Sequence, residues 1–522
     1  MLIGDIFTVN AKRFPHKAAL VTTERTVTYK QLESTANRIA NVLLDLGIKK
    51  GERIAIIEKT CAGCIEVTCA IVKTGAIMVN INNLLVTTEL AKVLQNCDPT
   101  ILIFGEEYDK LIRDTKEDFP GIKHYLCMGK SDWAPDLMRE AKTAPDDRPN
   151  VTISEHDIFT IIYTSGTTGE PKGACYTHDA FWKNILATII DTYKQTYEDV
   201  WIGPVPMYHI GGYGTLLRIF VMGNTFVLKE KFHPSDYLDT IKREKVTILY
   251  AYPTMINAMV NAPVACQQGL SSLRLVVYGG SPIPEASLKK AYSIFRCDFL
   301  QRYGATECCG SAMLILSPEE HRLALSGDKR YRNRMQAAGK PSLGTRVRLV
   351  DENGRIIEES GKNGALIACI DAPMKKYWRA SEETKKVLKD GWLRLGDIAK
   401  RDEEGFYYLV DREKDMIVSG ARNIYPREIE EVLYAHSAIE EVCVIGVPDE
   451  YWGEAVKAVV VLNSGMIVTE EEVIDYCNQN MASYKKPKSV DFIDALPKNS
   501  GGKIMKRELR RKYWKGHDRN IY

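Results

Sequence analysis

The sequence predicts a large N-terminal α/β domain, with parallel sheets packed with helices and a small β-rich subdomain, followed by a smaller, mobile α+β domain at the C-terminus. Short β-branched segments alternate with helical segments up to Cys308, and this alternation favours parallel sheets covered by helices. After Gly339 the pattern changes to short strands separated by turns. Charged residues cluster at positions 411–415 without helical periodicity, so we place a boundary there and predict domains 1–411 and 412–522.

Length and charge limit the classes of protein to consider. The chain has 522 residues, which exceeds the size of one ordinary core. Its 70 Lys and Arg residues nearly balance 68 Asp and Glu residues, so the net charge of +2 gives no reason to expect nucleic-acid binding. Asp5 interrupts the apolar start, unlike a secretory signal, and every apolar run is shorter than the roughly 18 residues of a membrane helix. We therefore predict a cytoplasmic protein without an integral membrane segment.

The N-terminal part shows the predicted alternation element by element. Residue spacing predicts helices at 3–13, 29–46 and 61–73 and strands at 53–57 and 100–104. Residues 132–150, rich in Asp, Pro and Lys, are predicted to form a surface loop. The spacing of Cys61 and Cys64 raises the alternative of a metal site, but the chain has no second Cys-x-x-Cys pair and the segment is mostly apolar. We interpret these cysteines as small apolar residues of a buried helix.

The stretch Tyr163–Gly173, with the sequence Tyr-Thr-Ser-Gly-Thr-Thr-Gly-Glu-Pro-Lys-Gly, follows a predicted buried strand at 158–163. Its glycines let backbone N–H groups face inward, while its hydroxyl side chains and Lys172 add donors and a positive charge, which suits the segment to phosphate. A flexible linker is the alternative for this composition, but linkers seldom follow a strand directly. A Walker-type loop is excluded, because Pro171 precedes the lysine and Gly173 follows it, so the magnesium-binding hydroxyl is missing.

A histidine followed by glycines marks the next candidate site. A predicted helix at 178–192 and a predicted strand at 200–206 lead to His209, and glycines stand at positions 211, 212 and 214. We predict a turn that leaves open space beside the histidine. A turn that happens to contain a histidine is the alternative.

Three further strand-and-turn units are predicted at 246–253, 273–281 and 297–308. The second contains Tyr278-Gly279-Gly280-Ser281-Pro282, where a flat ring can lie against bare backbone. The third carries Tyr303-Gly304-Ala305-Thr306-Glu307. Because ligands gather at the carboxyl ends of strands in open α/β sheets, Glu307 is a candidate magnesium ligand.

The C-terminal part supplies two further candidates. Asp397 follows Gly396 beside aromatic neighbours, and a carboxylate there can accept two hydrogen bonds from a ribose diol. Lys503 follows two glycines, from which it can reach a cleft on another domain; an ordinary basic tail is the alternative. The remaining predicted elements are strands at 345–350, 364–370, 406–410, 416–419, 441–447 and 455–462 and helices at 426–434 and 470–480.

These motifs, in this order along nearly the whole chain, resemble those of the adenylate-forming (AMP-binding) superfamily, in the acyl-CoA synthetase branch of fatty-acid and aromatic-acid CoA ligases. The resemblance implies catalytic roles for Lys503, Thr306, Glu307 and His209, the last in the acid pocket and as its gate, and it implies Glu307 and Thr164 as magnesium ligands. It implies that nucleotide and coenzyme A are bound by Thr164, Ser165, Gly166, Thr167, Thr168, Gly169, Lys172, Gly279, Gly280, Ser281, Tyr303, Gly304, Asp397, Arg412 and Gly420. The family usually has glycine before the arginine that corresponds to Arg412, whereas this chain has Asp411 there. The resemblance places the hinge at Lys414.

The resemblance implies a ligase that uses ATP, Mg²⁺ and coenzyme A and passes through an acyl-AMP. The glycines after His209, together with Tyr278 and the Cys308-Cys309 pair, indicate a roomy and largely uncharged pocket. We therefore predict a medium-chain fatty, aromatic or alicyclic acid as substrate. Two alternatives stay open: a catalytically silent ATP-binding regulatory protein, and a stand-alone adenylation enzyme that delivers to a carrier-protein thiol. The predicted partners are small molecules, and the sequence leaves a homodimer open.

Overall fold

The computed structural model describes residues 1–164, 171–263, 269–280, 283, 285–419, 422–449, 451–498 and 504–514. The helices in these ranges are α1 (Asp5–Arg13), α2 (Tyr29–Asp45), α3 (Ala62–Ile71), α4 (Thr87–Cys97), α5 (Asp109–Thr115), α6 (Leu137–Thr143), α7 (His178–Thr188), α8 (Ile210–Met222), α9 (Pro234–Arg243), α10 (Pro253–Asn261), α11 (Glu285–Phe295), α12 (Pro318–Leu325), α13 (Ser381–Val387), α14 (Pro426–Tyr434), α15 (Glu470–Asn480) and α16 (Lys506–Tyr513).

The strands in the same ranges are β1 (Ala18–Val21), β2 (Thr26–Thr28), β3 (Arg53–Ile57), β4 (Ile77–Ile81), β5 (Ile101–Gly105), β6 (His124–Met128), β7 (Ile158–Thr164), β8 (Lys172–Thr177), β9 (Val200–Ile202), β10 (Thr225–Val227), β11 (Ile248–Ala251), β12 (Leu275–Gly279), β13 (Asp298–Tyr303), β14 (Leu314–Leu316), β15 (Lys340–Pro341), β16 (Thr345–Val350), β17 (Gly364–Ile370), β18 (Lys376–Tyr377), β19 (Leu388–Lys389), β20 (Trp392–Arg401), β21 (Tyr407–Arg412), β22 (Ile417–Ser419), β23 (Arg422–Ile424), β24 (Ile439–Asp449), β25 (Gly453–Leu462) and β26 (Ser489–Phe492).

Two large sheets form most of the N-terminal domain. The described strands of the first sheet run in the order β18-β8-β7-β4-β3-β5-β6, and those of the second in the order β15-β14-β13-β12-β11-β9-β10-β1-β2. Central neighbours are parallel, as in β3 with β4 and β11 with β12, whereas β7 with β8 and β13 with β14 are antiparallel. The predicted α/β fold class is confirmed, with sheets that are mixed at their edges.

The largest core contains residues of both sheets and of the helices packed with them. Ile56 and Phe159 come from the first sheet, Trp201 and Leu300 from the second, and Leu32 from α2, and each is at most 1% exposed. A separate core joins the second sheet to α9, α10 and α11, and another joins the first sheet to α4 and α5. Because apolar side chains are buried on both faces of each sheet, the loops at the strand ends rest on a rigid support.

Two smaller sheets complete the fold. The β-rich subdomain has the order β16-β17-β20-β19, with β21 paired to β20. The C-terminal domain has the order β23-β22-β25-β24, with β26 paired to β25. Ile429 of α14 and Val473 of α15 pack in one of its cores, while Cys443 and Leu496 belong to another. None of the described helices is long and apolar enough to cross a membrane.

Many predicted elements are confirmed, including the helices at 426–434 and 470–480, but the loop predicted at 132–150 is wrong in its middle. That segment contains α6, because the Asp136 side chain accepts hydrogen bonds from the N–H groups of Met138 and Arg139 and caps the helix. The strand predicted at 200–206 is shorter and ends at Ile202. Strand β8 begins at Lys172, within the stretch predicted as a phosphate loop, and the sequence pattern does not predict this strand.

Candidate active site

The segment from Tyr303 to Glu307 is the point at which three sheets meet. It begins at the end of β13, in the second sheet. The hydroxyl of Tyr176 on β8 donates a hydrogen bond to the carbonyl of Thr306 at 2.8 Å, which links the segment to the first sheet. The hydroxyl of Tyr303 donates to Asp397 on β20 at 2.6 Å, which links it to the β-rich subdomain. Residues that are distant in sequence therefore come together here.

The carboxylate of Glu307 accepts a hydrogen bond from the hydroxyl of Tyr377. Tyr377 lies on β18, which pairs with β8. Burial raises the pKa of Tyr377, and the nearby Glu307 charge raises it further, so the hydroxyl stays protonated and donates to one carboxylate oxygen. Sequence reasoning missed Tyr377, because no motif surrounds it and its contact with Glu307 spans 70 residues.

The hairpin of β7 and β8 holds together the two ends of the predicted phosphate loop. Thr164 pairs with Lys172 across the hairpin, and its hydroxyl donates to the Lys172 carbonyl at 3.4 Å. The Lys172 ammonium lies 5.9 Å from the centre of the Tyr377 ring, and Tyr377 in turn contacts Glu307. The two described ends of the loop therefore lie near Tyr377 and Glu307.

Asp397 is only 5% exposed and contacts two residues through its two carboxylate oxygens. Oδ2 accepts from the Tyr303 hydroxyl at 2.6 Å, and Oδ1 accepts from Nε of Arg412 at 2.8 Å. Burial alone would lower the pKa of Arg412, but the charge of Asp397 raises it, so the ion pair is retained. Each carboxylate oxygen has a further lone pair, which leaves acceptor sites for two ligand hydroxyls.

Glycines at the strand ends allow close approach of neighbouring backbone. A Cβ on Gly279 would lie 2.4 Å from a carbonyl oxygen of β13, and one on Gly304 would lie 2.8 Å from the carbonyl oxygen of Ser311. Gly280 has a φ of +86°, and a Cβ there would lie 3.4 Å from the Tyr252 ring. The flat ring beside these glycines in this structure is thus the protein's own Tyr252.

His209 caps helix α8, since its Nδ1 accepts a hydrogen bond from the N–H of Gly211 at 3.1 Å. The turn predicted after His209 is wrong, because Gly211, Gly212 and Gly214 lie inside α8. A Cβ on Gly212 would lie 2.5 Å from the carbonyl oxygen of Pro206, so this glycine provides close packing and not open space. A Cβ on Gly214 would make only ordinary contacts.

The pocket predicted from the sequence needs a correction at Tyr278. Tyr278 belongs to the core shared with α9, α10 and α11 and is fully buried, with its hydroxyl 2.8 Å from Nε2 of His321. Two arginines outside the predicted set lie close to the Cys308-Cys309 pair: Arg218 on α8 and Arg302 on β13 both donate to the carbonyl oxygen of Gly310 at 3.2 Å. The signal that could have found Arg218 is its position within the otherwise apolar run Leu216–Met222.

The other predicted site residues lie outside the described part of the chain. They are Ser165, Gly166, Thr167, Thr168, Gly169, Ser281, Gly420 and Lys503.

Two family profiles match the sequence, the AMP-binding enzyme profile over residues 7–378 and the AMP-binding enzyme C-terminal domain over residues 428–503. The chain belongs to the AMP-binding enzyme family. This AMP-binding enzyme is 35% identical over 520 residues to the long-chain-fatty-acid–CoA ligase FadD13 of Mycobacterium tuberculosis, covering 98% of both proteins. It is 33% identical over 509 residues to the feruloyl-CoA synthase of Amycolatopsis sp, covering 96% of this chain and 97% of that protein. It is an enzyme of the acyl-CoA synthetase class.

Solved protein structures share the fold of this chain over nearly its full length. The anthranilate CoA ligase AuaEII in complex with anthranoyl-AMP has a TM-score of 0.89 and 28% identity, covering 98% of this chain and 97% of that one. ATP-bound MatB from Rhodopseudomonas palustris has a TM-score of 0.88 and 28% identity, covering 98% and 99%. Apo MatB, at the same identity and coverage, reaches only 0.76. The arrangement of this AMP-binding enzyme is therefore closer to the ATP-bound than to the apo form of MatB.

Proposed function

We propose that this enzyme activates a medium-chain fatty, aromatic or alicyclic acid with ATP and transfers the acyl group to coenzyme A. In the first step a carboxylate oxygen of the acid attacks the α-phosphorus, pyrophosphate leaves, and an acyl-AMP forms. In the second step the thiolate of coenzyme A attacks the acyl carbon and AMP leaves with its electron pair. The observation that carries the proposal is the similarity to a CoA ligase over 98% of the chain.

The contacts around the segment from Tyr303 to Glu307 support the nucleotide sites that we propose. Asp397 accepts the ribose hydroxyls, and Arg412 and Tyr303 fix the orientation of its carboxylate. The loop between Thr164 and Lys172 binds the phosphates, because N–H groups, hydroxyls and an ammonium group suit anions. These roles are supported by the short distances at Asp397 and by the shared neighbourhood of the loop ends and Glu307.

The residues present fit a magnesium ion. Glu307 and Thr164 would hold it, and it would neutralise negative charge on the phosphates. In the part of the chain that the structure describes, no group of three or more His, Cys, Asp or Glu side chains could hold a metal. Magnesium commonly takes one or two carboxylates and completes its shell with phosphate and water, so a single oriented carboxylate is sufficient. The role of Tyr377 is to orient that carboxylate.

We assign the two steps to two positions of the C-terminal domain, related by rotation about Lys414. Lys503 contacts the reacting phosphate in the first step, and Gly420 lies beside the pantetheine channel in the second. Removal of one such preorganised contact typically costs roughly a hundred- to a thousandfold in rate.

Half-reactions test this proposal. Acid-dependent exchange of pyrophosphate into ATP measures the first step, and thioester formation from supplied acyl-AMP measures the second. Lys503→Ala should lose the exchange and keep thioester formation, whereas Gly420→Leu should do the opposite. If both variants lose the same half-reaction, the two-position assignment is wrong.

The acceptor and the acid are tested with the unmodified enzyme. A panel of fatty, aromatic and alicyclic acids is screened by pyrophosphate release with coenzyme A and, separately, with a pantetheinylated carrier protein. Transfer to the carrier protein alone would favour the stand-alone adenylation enzyme, and absence of acid-dependent exchange would favour the silent regulatory protein. A cytoplasmic location and a homodimer are further proposals, which cell fractionation and light scattering test.

A further inference from the structure

Helix α16 closely follows Lys503 in the sequence and is joined to the base of the segment that contains this lysine. Ile504 forms a β-bridge with Lys498. The N–H of Met505 donates a hydrogen bond to the carbonyl of Pro497 at 2.8 Å. Contacts that fix the position of α16 therefore also fix the base of the segment that carries Lys503.

Arg510, in the middle of α16, is bonded to the backbone directly after the hinge. Its side chain is buried, and the residue is only 7% exposed. Nη1 donates to the carbonyl of Lys414 at 3.2 Å and to Oδ1 of Asp415 at 3.0 Å, and Nη2 donates to the carbonyl of Asp415 at 3.1 Å. One planar guanidinium group thus joins two successive carbonyl groups and a carboxylate, a geometry that the single ammonium group of a lysine cannot reproduce.

The backbone directly before the hinge is held to the β-rich subdomain instead. The N–H of Glu413 donates to the carbonyl of Gly396 on β20 at 2.7 Å. The N–H of Asp415 donates to the carbonyl of Arg412 at 2.9 Å, and this bond spans the hinge, so a rotation there has to open it. Lys414 is therefore the residue at which the chain passes from contacts with the N-terminal domain to contacts with α16.

The two groups that we assign to the two steps differ in how they are connected to the hinge. Gly420 follows β22 directly, so a short covalent path makes it move with the hinge. Lys503 is separated from the hinge by β24, β25 and β26, so its position relative to Lys414 depends on non-covalent contacts. Arg510 supplies three such contacts.

We propose that Arg510 is a positioning residue for the adenylation step, because it couples α16, and with it Lys503, to the backbone of the hinge. This inference rests on the proposed role of Lys503 in the first step. Without Arg510 the hinge can turn while α16 does not follow, and Lys503 is then misplaced although the N-terminal domain still binds ATP. A misplacement of about 1 Å at a reacting group can cost roughly a hundredfold in rate.

The first test measures both half-reactions in Arg510→Met, which removes every hydrogen-bond donor of the side chain. We expect kcat of acid-dependent pyrophosphate exchange to fall roughly ten- to a hundredfold. The KM for ATP and the rate of thioester formation from supplied acyl-AMP should change little, because Arg510 contacts neither the nucleotide site nor β22. An equal loss in both half-reactions would show a structural role and overturn the proposal, as would full exchange activity.

A conservative variant and a matched control separate positioning from stability. Arg510→Lys keeps a buried positive charge without the planar fork, so its exchange activity should lie between wild type and Arg510→Met. The control is Lys485→Met, which breaks an ion pair with Glu428 of α14 in the same domain and should leave the ratio of the two half-reactions unchanged. If the control lowers this ratio as much as Arg510→Met does, the proposal is wrong. If Arg510→Met does not fold, Arg510→Lys decides, and a wild-type ratio in that variant overturns the proposal.

A double variant tests whether Arg510 acts through Lys503. In the Lys503→Ala background, Arg510→Met should cause no further loss of exchange, whereas a further loss as large as in Arg510→Met alone would overturn the inference. The failure of this inference is distinct from that of the proposed function. If Lys503→Ala loses exchange but Arg510→Met keeps it, only the positioning role is wrong; if Lys503→Ala keeps full exchange, the proposed role of Lys503 fails and the inference fails with it.

Discussion

Replacement of Asp397 by asparagine tests the assignment of the ribose site most directly. The side chain keeps its shape, but one oxygen becomes an NH₂ donor. The amide oxygen will face Arg412, because a donor facing Nε at 2.8 Å would be repelled, and the NH₂ group then faces the Tyr303 hydroxyl. The substitution thus removes the negative charge from the side chain that makes these two short hydrogen bonds, and it removes one acceptor for a ribose hydroxyl.

The magnitude follows from these contacts. Hydrogen bonds to a charged group contribute about 1.5–3 kcal/mol and neutral ones about 1 kcal/mol, so we expect a loss of about 1–2 kcal/mol in ATP binding. That corresponds to roughly a five- to thirtyfold higher KM for ATP. The KM for the acid should change little, because Asp397 is assigned to the nucleotide alone.

The assay is acid-dependent pyrophosphate exchange, with ATP and the acid varied in turn. Asp402→Asn is the matched control, since Asp402 accepts hydrogen bonds from the N–H groups of Glu404 and Phe406 in a turn next to β20 and β21. It should lower thermal stability without a selective effect on ATP. The reasoning is refuted if Asp397→Asn raises the KM for ATP less than twofold, or raises the KM for the acid equally.

Three further outcomes are expected. Burial alone would raise the pKa of Asp199, but hydrogen bonds, chiefly from Arg274, lower it below its usual value. The ionised carboxylate therefore stabilises the fold above about pH 4, and this contribution is lost as the pH falls through the lower pKa of the folded state. Asp199→Asn should therefore cost about 2 kcal/mol in urea unfolding at pH 7 and progressively less below pH 4; an equal cost at both pH values would contradict this. Gly279→Ala should cost about 1–3 kcal/mol, because its Cβ would lie 2.4 Å from a backbone carbonyl oxygen, and an unchanged melting temperature would show that the strands can separate. Asp411 accepts a hydrogen bond from the N–H of Arg427 at 3.0 Å, and this bond joins β21 to α14. Without it, we expect Asp411→Gly to lower the ratio of adenylation to thioester formation by up to about fivefold. Asp411→Asn keeps an acceptor and should leave this ratio unchanged.

The sequence predicts local structure well where the signal itself is local. The strand at 53–57 and the helix at 426–434 have the predicted bounds, because alternating or helical apolar spacing and a proline in the first turn act within a few residues. The sequence pattern does not predict the helix at 137–143, because a segment rich in Asp, Pro and Lys is typical of a loop, although Asp136 caps a helix there.

The sequence by itself determined the family, the order of the glycine- and hydroxyl-rich, histidine and carboxylate motifs, and the two-domain α/β architecture. Only the tertiary structure decided which groups meet: Tyr377 with Glu307, Tyr303 with Asp397, and two arginines with one carbonyl. These contacts join residues 70, 94 and 92 positions apart, and for Arg302 only 8. Periodicity and propensity describe a chain over a few residues. The pairing of β18 with β8 and the contact of α8 with the turn at Gly310 depend instead on how the whole chain buries its apolar surface.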